Sequence, residues 1–128
     1  MRILAAACRE FAPNDAQCVC INNAVFVRDS AWATANNADG TPSVGKRMNN
    51  PGNVRCLGDN SPVPSVCTPT KNNGSFAKFD SLEDGVRANV DLYARLYAGK
   101  GWTDLTNTWA QTKSKEYHEA VGSCFNSD

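Results

Sequence analysis

The sequence predicts a mainly helical α+β domain with one small β-hairpin. Two observations carry this prediction: apolar residues recur at helical spacing in several segments, and two short strand-like segments lie on either side of a loop bounded by cysteines. The chain has 128 residues, of which 41% are hydrophobic and 20% charged. These values are typical of a folded globular protein, so we expect residues 1–128 to form a single domain.

The charge balance excludes two classes of partner. Thirteen basic residues match thirteen acidic ones, and neither sign is concentrated in one half of the chain. The sequence therefore has neither the cluster of basic residues expected of a nucleic-acid-binding protein nor the polybasic segment expected of a membrane-surface protein. No segment approaches the roughly 18 apolar residues of a membrane span. We expect no nucleic-acid partner, no membrane span and no cofactor.

Six cysteines in a chain of this length indicate an oxidising, extracytoplasmic destination. Cys56 and Cys67 bound a short loop that contains glycine and prolines, and we predict a disulfide between them. The other four cysteines can pair in three ways or remain buried thiols. They are Cys8, Cys18, Cys20 and Cys124.

A zinc site is disfavoured by the spacing of the possible ligands. Cys18 and Cys20 are separated by a single residue, whereas zinc motifs have a spacer of about two to four. His118 is the only histidine. We therefore expect no metal.

The first half of the chain predicts two helices. Leu4, Ala7, Cys8 and Phe11 are spaced for one face of a short helix that ends before Pro13, and this spacing explains the start better than a signal peptide does. A second helix, over residues 15–27 and capped by residue 14 or 15, is apolar on nearly every side. It is the predicted central helix. Its two asparagines, at positions 22 and 23, are either satisfied core amides or one wall of a polar cleft.

Asp29 follows this buried helix and is the first candidate for chemistry. A carboxyl group half covered by apolar surface loses solvation of its charged form, so it can retain a proton near neutral pH. The alternative is that Asp29 pairs with Arg28 or caps the turn around Ser30.

Residues 35–45 form a loop by composition, and residues 47–56 form a turn. Asn50 precedes a proline and is extended, Pro51 sets the first corner, and Gly52 is expected to adopt positive φ. Residues 54–57 then predict a strand that pairs with residues 76–79.

The last part of the chain predicts three helices. Ser81 caps the clearest one, over residues 82–98, which is expected to pack against the central helix. Thr103 caps a short helix and Ser114 caps the last one, in which Tyr117 and Cys124 share a face.

Three stretches of the sequence carry a resemblance to a known family. Residues 48–55 (MNNPGNVR) are similar to its "NNPGNIR" segment, and residues 76–88 (FAKFDSLEDGVRA) to its "F-x-x-F-x-S-x-x-x-G-I-R-A" segment. Trp109-Ala110, followed by Tyr117 and Val121, resembles its "W-A … Y … V" ending. The chain thus resembles lysozyme-like peptidoglycan-cleaving domains of phage structural proteins, bacterial glucosaminidases and lytic transglycosylases.

Residues 29–32 (DSAW) lie where related glucosaminidases have "E-S-G-W". The acid of this chain is an aspartate, one methylene shorter than the family's catalytic glutamate. The "G-L-M-Q" segment of many transglycosylases is absent.

The resemblance implies a lysozyme-like domain that cleaves peptidoglycan between amino sugars, associated with a phage virion or a bacterial envelope. Asp29 would be the general acid, and Ser30, Trp32, Asn50 and Tyr117 would contact the sugar. Asn53 would hold the turn. No second carboxylate is clearly placed, and the substrate's acetamido group would assist instead, as in known exceptions to the two-carboxylate rule.

Two other hypotheses remain open from the sequence. One is a catalytically inactive lysozyme-like protein that serves as a virion component or a wall-binding module, which the shorter acid favours. The other is a small disulfide-rich effector or inhibitor, which explains the cysteines alone. Glu10 is the reserve candidate for the acid, although its position on the polar side of the first helix suits a solvated surface charge.

Overall fold

The computed structural model describes residues 2–58, 60–96, 119 and 122–124. Within this part of the chain, the order of elements is α1 (Arg2–Phe11), α2 (Cys18–Ser30), α3 (Val44–Arg47), β1 (Val66–Pro69), β2 (Ser75–Lys78) and α4 (Leu82–Leu96). The two strands form one antiparallel sheet. The predicted class, mainly helical α+β with a small hairpin, is confirmed at this level. None of the described helices has the length and apolar character needed to cross a membrane.

The main core lies between α1, α2 and α4. The three helices contribute buried apolar side chains that form one cluster, including Leu4, Ala7, Ile21, Val25, Phe26, Val86, Val90 and Tyr93. The predicted amphipathic helix at the start of the chain is confirmed. The predicted packing of α4 against the central helix α2 is confirmed, since both contribute to one core and Asn89 Nδ2 donates to Asn22 Oδ1 at 2.9 Å, but α4 packs more extensively on α1. A second, smaller core of Val63, Ala77, Phe79 and Ala88 joins the sheet to α4.

The start of α2 differs from the prediction. The helix begins at Cys18 rather than near residue 15, and it ends at Ser30. Asp15 lies ahead of it, where Oδ1 accepts a hydrogen bond of 2.9 Å from the Gln17 backbone N–H and Oδ2 accepts one from the Tyr93 hydroxyl. Burial and this bond raise the pKa of Tyr93 above its ordinary value, so the neutral phenol is favoured.

Helix α3 falls within and after the segment that was expected to be loop. Ser43 accepts a hydrogen bond of 3.3 Å from the Lys46 N–H, which gives this single turn an N-cap. The residues on both sides of α3 are typical of loops, so the composition of this segment did not predict a helix.

The hairpin has a different strand pairing from the predicted one. Strand β2 pairs with β1, with Cys67 opposite Ala77 and Thr68 opposite Phe76. Arg55 contributes only an isolated bridge to Phe76. Val54 also contacts β2, since its C=O accepts a hydrogen bond of 3.2 Å from the Ala77 N–H, while its N–H bonds to the Asn50 side chain at 2.9 Å. The predicted pairing is thus present only as these single contacts, and residues 54–57 do not form a regular strand.

Three disulfides close the chain: Cys8–Cys18, Cys20–Cys124 and Cys56–Cys67. The predicted Cys56–Cys67 bond is confirmed, and the structure selects one of the three pairings that were open for the other four cysteines. These bonds are compatible with an extracytoplasmic protein.

Of the last two predicted helices, only Glu119 and residues 122–124 are described, and they are helical. The predicted short helix that begins at Thr103 lies outside the described residues, and so does Tyr117.

Candidate functional site

The turn at residues 49–53 is built by asparagines rather than by glycine. Asn49 and Asn53 both have a φ of 51°, the left-handed region that asparagine tolerates better than most residues do. Gly52 does not adopt positive φ, so that prediction is wrong. Glycine is required there by packing, since a Cβ at this position would lie 2.2 Å from Oδ1 of Asn89. The turn therefore lies directly against α4.

Asparagine side chains attach the turn to β2 and to Phe79, which follows β2, and the backbone of the turn approaches the start of α4 closely. Asn49 Nδ2 donates to the Phe79 carbonyl at 3.0 Å, and Asn50 Nδ2 donates to the Ala77 carbonyl at 2.9 Å. A Cβ on Gly85 would lie 1.9 Å from the Asn49 carbonyl oxygen, so only glycine allows this approach. The segments 48–55 and 76–88 thus form one continuous packed unit.

Two further hydrogen bonds attach the same turn to the end of α2. Ser30 Oγ donates to the Pro51 carbonyl at 2.6 Å, and Asn53 Nδ2 donates to the Asp29 carbonyl at 2.9 Å. Gly45 of α3 also approaches Ser30 closely, because a Cβ there would lie 2.7 Å from Ser30 Cβ. The Asp29-Ser30 pair and the asparagine-proline turn therefore meet in space, through bonds between residues 21 and 24 apart in sequence.

A left-handed turn follows Ser30. Ala31, Trp32 and Ala33 have φ values of 49°, 58° and 62°, and none of them is glycine. Each non-glycine residue in this region costs about 1 to 2 kcal/mol. The Ala33 N–H donates to Ser30 Oγ at 2.8 Å, and the Trp32 N–H donates to the Phe26 carbonyl at 2.9 Å. These contacts hold a strained backbone immediately after Asp29.

The strained turn fixes the indole of Trp32. Its Nε1 donates to Asn23 Oδ1 at 2.9 Å, and its ring meets Phe26 edge-on, with centroids 5.0 Å apart. The neighbouring Asn22 is fully buried and donates to the Cys18 carbonyl at 2.8 Å. Asn22 is thus the core amide, whereas Asn23 orients a half-buried aromatic side chain.

The predicted site residues divide into two groups. Asp29 and Trp32 are half-buried and close in sequence, at the end of α2 and in the turn that follows. Ser30 and Asn50 are 2% and 0% exposed, with their polar atoms bonded to main chain, so in this structure they connect segments rather than present groups at the surface. Tyr117 lies outside the described residues.

Ser30 and Asn53 connect the end of α2 to the asparagine-proline turn, and the sequence predicted these roles only in part. Sequence reasoning assigned Asn53 to the turn but did not identify its bond to Asp29, and it placed Ser30 at the sugar. The available signal was the number of asparagines in the segment, because asparagine side chains commonly replace backbone hydrogen bonds in turns.

Two other carboxylates are held in the charged form. Glu10, the reserve acid, accepts two hydrogen bonds from Arg87, at 3.0 and 2.9 Å, and these lower its pKa. The Thr41 hydroxyl and N–H bond to Asp39 at 2.6 and 3.0 Å, and they lower the pKa of that carboxyl. A general acid must retain its proton near the working pH, so neither group suits that role.

Comparisons with protein-family models, with curated proteins and with solved structures found no match to this chain. The functional assignment therefore depends on the residues and their geometry.

Proposed function

We propose that this protein is a lysozyme-like peptidoglycan-cleaving domain, a glycosidase or lytic transglycosylase that acts between the amino sugars of the glycan strand. The observation that carries the proposal is the pair of hydrogen bonds from Ser30 to Pro51 and from Asn53 to Asp29. They join the main chain at the candidate acid to the asparagine-proline turn, so residues 29–32 and 48–55, two of the segments that resemble the family, lie together in the fold.

Asp29 is the proposed general acid. It would protonate the glycosidic oxygen while positive charge develops at the anomeric carbon, and the substrate's acetamido group would assist at that carbon. The same carboxylate would then act as the base. The position of Asp29 supports this role, because it lies half-buried at the end of a core helix and its main chain is bonded to the asparagine-proline turn.

Trp32 is the proposed sugar-contacting aromatic residue, since its indole is fixed by Asn23 and Phe26. A fixed aromatic ring contacts a sugar at low entropic cost. In this proposal the buried Ser30 and Asn50 hold the turn in place and do not touch the sugar. Tyr117 remains a predicted sugar contact.

Three disulfides support an extracytoplasmic setting for this activity, namely a virion, the periplasm or the medium. The proposed partner is the peptidoglycan glycan strand, together with other virion or envelope proteins.

The second candidate function is an inactive lysozyme-like domain that binds the wall or builds a virion. The observation that favours it is Asp29 itself, which is one methylene shorter than the family's glutamate. A general acid must reach hydrogen-bond distance of the leaving oxygen, and a misplacement of about 1 Å can cost about 100-fold in rate.

The experiment that tests the proposal is incubation of purified peptidoglycan with the wild-type protein and with Asp29→Glu. Mass spectrometry of the soluble fraction would identify released amino-sugar fragments. We expect release by the wild type and faster release by Asp29→Glu, because the longer side chain restores the family's reach.

Sedimentation of each protein with intact peptidoglycan provides the second arm. If neither protein releases fragments while both sediment with the wall, the enzymatic proposal fails and the wall-binding function stands. If neither cleavage nor sedimentation occurs, both functions fail.

A further inference from the structure

We propose that a pocket between residues 54–58, 60 and 61 and the end of α4 binds the carboxyl-terminal end of a short peptide, and that its natural ligand is the peptide stem of peptidoglycan. The choice of the stem rests on the proposed function, whereas the recognition of a peptide carboxylate rests on the pocket itself.

The size of the pocket limits the ligand. Its volume is about 280 Å³, just below the range of roughly 300 to 1,000 Å³ in which whole small molecules are bound. A space of this size accommodates one or two residues at the end of a chain rather than a disaccharide. Its lining combines apolar side chains with two arginines, Arg55 and Arg95.

Arg55 is the main anion-binding group of this pocket. Its guanidinium lies 4.1 Å from the centroid of the Phe76 ring, and one Nη1 hydrogen bond goes to the Asn73 carbonyl. An arginine held in this way has little side-chain freedom left to lose when it binds, and its remaining N–H groups match the two oxygens of a carboxylate. Arg55 is also solvent-exposed, so an anion can reach it.

Arg95 plays a smaller part because it is already paired. Its Nε and Nη2 donate to Asp91 Oδ2, at 3.1 and 2.9 Å. The Asp91 carboxylate offsets much of that positive charge. We therefore expect substitution of Arg55 to weaken carboxylate binding more than substitution of Arg95.

The remaining lining suits the end of a peptide. Leu57 and Leu92 offer apolar surface for a small side chain such as the methyl group of alanine. Asn60 and Ser61 offer amide and hydroxyl groups for a peptide unit. The Cys56–Cys67 disulfide fixes the wall that carries Arg55 and Leu57.

The position of the pocket favours the peptide stem over other peptides. Its wall begins at Val54, the residue after Asn53, whose side chain holds the Asp29 carbonyl. Stems branch from the same glycan strand that Asp29 is proposed to cleave, and the wall of the pocket follows directly on the turn that is bonded to the Asp29 main chain. The Asp29 site would then bind the sugar of the polymer, and the pocket would bind its peptide.

The test is isothermal titration calorimetry with stem peptide released from peptidoglycan, which ends in a free D-alanine carboxylate. The comparison ligands are the same peptide with an amidated carboxyl terminus and an L-alanine-terminated peptide of matched sequence. We expect the free acid to bind at least about tenfold more tightly than the amide, because a charge-assisted hydrogen bond is lost in the amide. We also expect the D-terminated stem to bind more tightly than the L-terminated peptide.

The protein variants are Arg55→Gln, Arg55→Lys and the matched control Arg9→Gln, which removes an exposed arginine of α1. Arg55→Gln should reduce affinity for the acid by at least about tenfold, Arg55→Lys by less, and Arg9→Gln should leave it unchanged. Circular dichroism at each variant's melting transition verifies folding.

Equal binding of acid and amide by the wild type, equal binding by wild type and Arg55→Gln, or no binding of the acid would overturn the proposal. Tighter binding of the L-terminated peptide would overturn the assignment to the stem. Asp29→Asn separates this proposal from catalysis, because it should bind the stem peptide like the wild type. Cleavage without stem binding would defeat only the pocket, and stem binding without cleavage would defeat only the catalytic proposal.

Discussion

At the residue scale, asparagine and serine side chains, together with glycines whose missing Cβ permits close approach, determine the geometry of the candidate site. Asn49, Asn50 and Asn53 replace backbone hydrogen bonds in the turn, and Ser30 bonds to both the turn and Ala33. The sequence indicated a built turn because Asn, Pro and Gly occur together. It placed the positive φ at Gly52, whereas Asn49 and Asn53 adopt it and Gly52 is instead packed closely against Asn89, a tertiary contact that the local sequence does not show.

The strain after Ser30 leads to a prediction about Ala31. Its φ is 49° and its methyl group is exposed, so Ala31→Gly should relieve strain and lose almost no packing. We expect an increase of up to about 1 kcal/mol in the free energy of unfolding, because relief of about 1 to 2 kcal/mol exceeds the entropic cost of glycine, roughly 0.5 to 1 kcal/mol. Urea denaturation measures this change.

The matched control is Ala6→Gly, at an exposed position in the middle of α1. Glycine there should cost about 1 kcal/mol, as in other helix interiors. If Ala31→Gly destabilises the protein as much as the control does, the left-handed turn stores no strain.

At the element scale, the long helices α1, α2 and α4 were predicted, whereas α3 was missed and strand pairing was predicted only in part. The spacing of apolar residues identified α1 and α4, and Ser81 caps α4 through a bond of 3.1 Å to the Asp84 N–H. Periodicity reports only which face of an element is apolar, so it did not show that α4 packs chiefly on α1. The predicted strand over residues 54–57 is reduced to one hydrogen bond from Ala77 to Val54 and one bridge from Arg55 to Phe76, and the Asn50 side chain also binds Val54, which sequence patterns do not show.

The contact between α1 and α4 has a testable pH dependence. Arg87 lowers the pKa of Glu10 below its ordinary value of 4.5, so the pair stabilises the fold above that pH and is lost as the pH falls through the lowered pKa. Both side chains are partly exposed, which limits the coupling to below about 1 kcal/mol.

A double-mutant cycle with Glu10→Gln and Arg87→Gln measures this coupling by urea denaturation at pH 7 and at pH 3. We expect a favourable interaction energy at pH 7 and a smaller one at pH 3. A coupling that is absent at pH 7, or equal at the two pH values, would show that this ion pair does not stabilise the contact.

At the scale of the whole molecule, the disulfides constrain the chain very unequally. Cys20–Cys124 joins residues 104 apart in sequence, whereas Cys8–Cys18 and Cys56–Cys67 span 10 and 11. The sequence predicted only the Cys56–Cys67 bond, since a short loop between turn residues is visible locally. A pairing across most of the chain depends on the packed fold and could not be read from spacing.

We therefore expect different costs when these bonds are removed. In the chain-entropy description, the double variant Cys20→Ser/Cys124→Ser should lose about 5 kcal/mol of unfolding free energy, and Cys56→Ser/Cys67→Ser about 3 kcal/mol. Urea denaturation of the two oxidised variants beside the wild type measures both losses. An equal or reversed order would mean that native contacts, rather than loop closure, set the contribution of each bond.

The account as a whole depends on Asp29 as a proton donor at the turn. The most direct measurement is the initial rate at which Asp29→Asn releases soluble fragments from purified peptidoglycan, compared with the wild type at a matched melting temperature. The substitution is nearly isosteric and removes the transferable proton, so the rate should fall by about 100- to 10,000-fold while the fold is retained. Equal rates of fragment release by the two proteins, or no release by the wild type, would contradict the account.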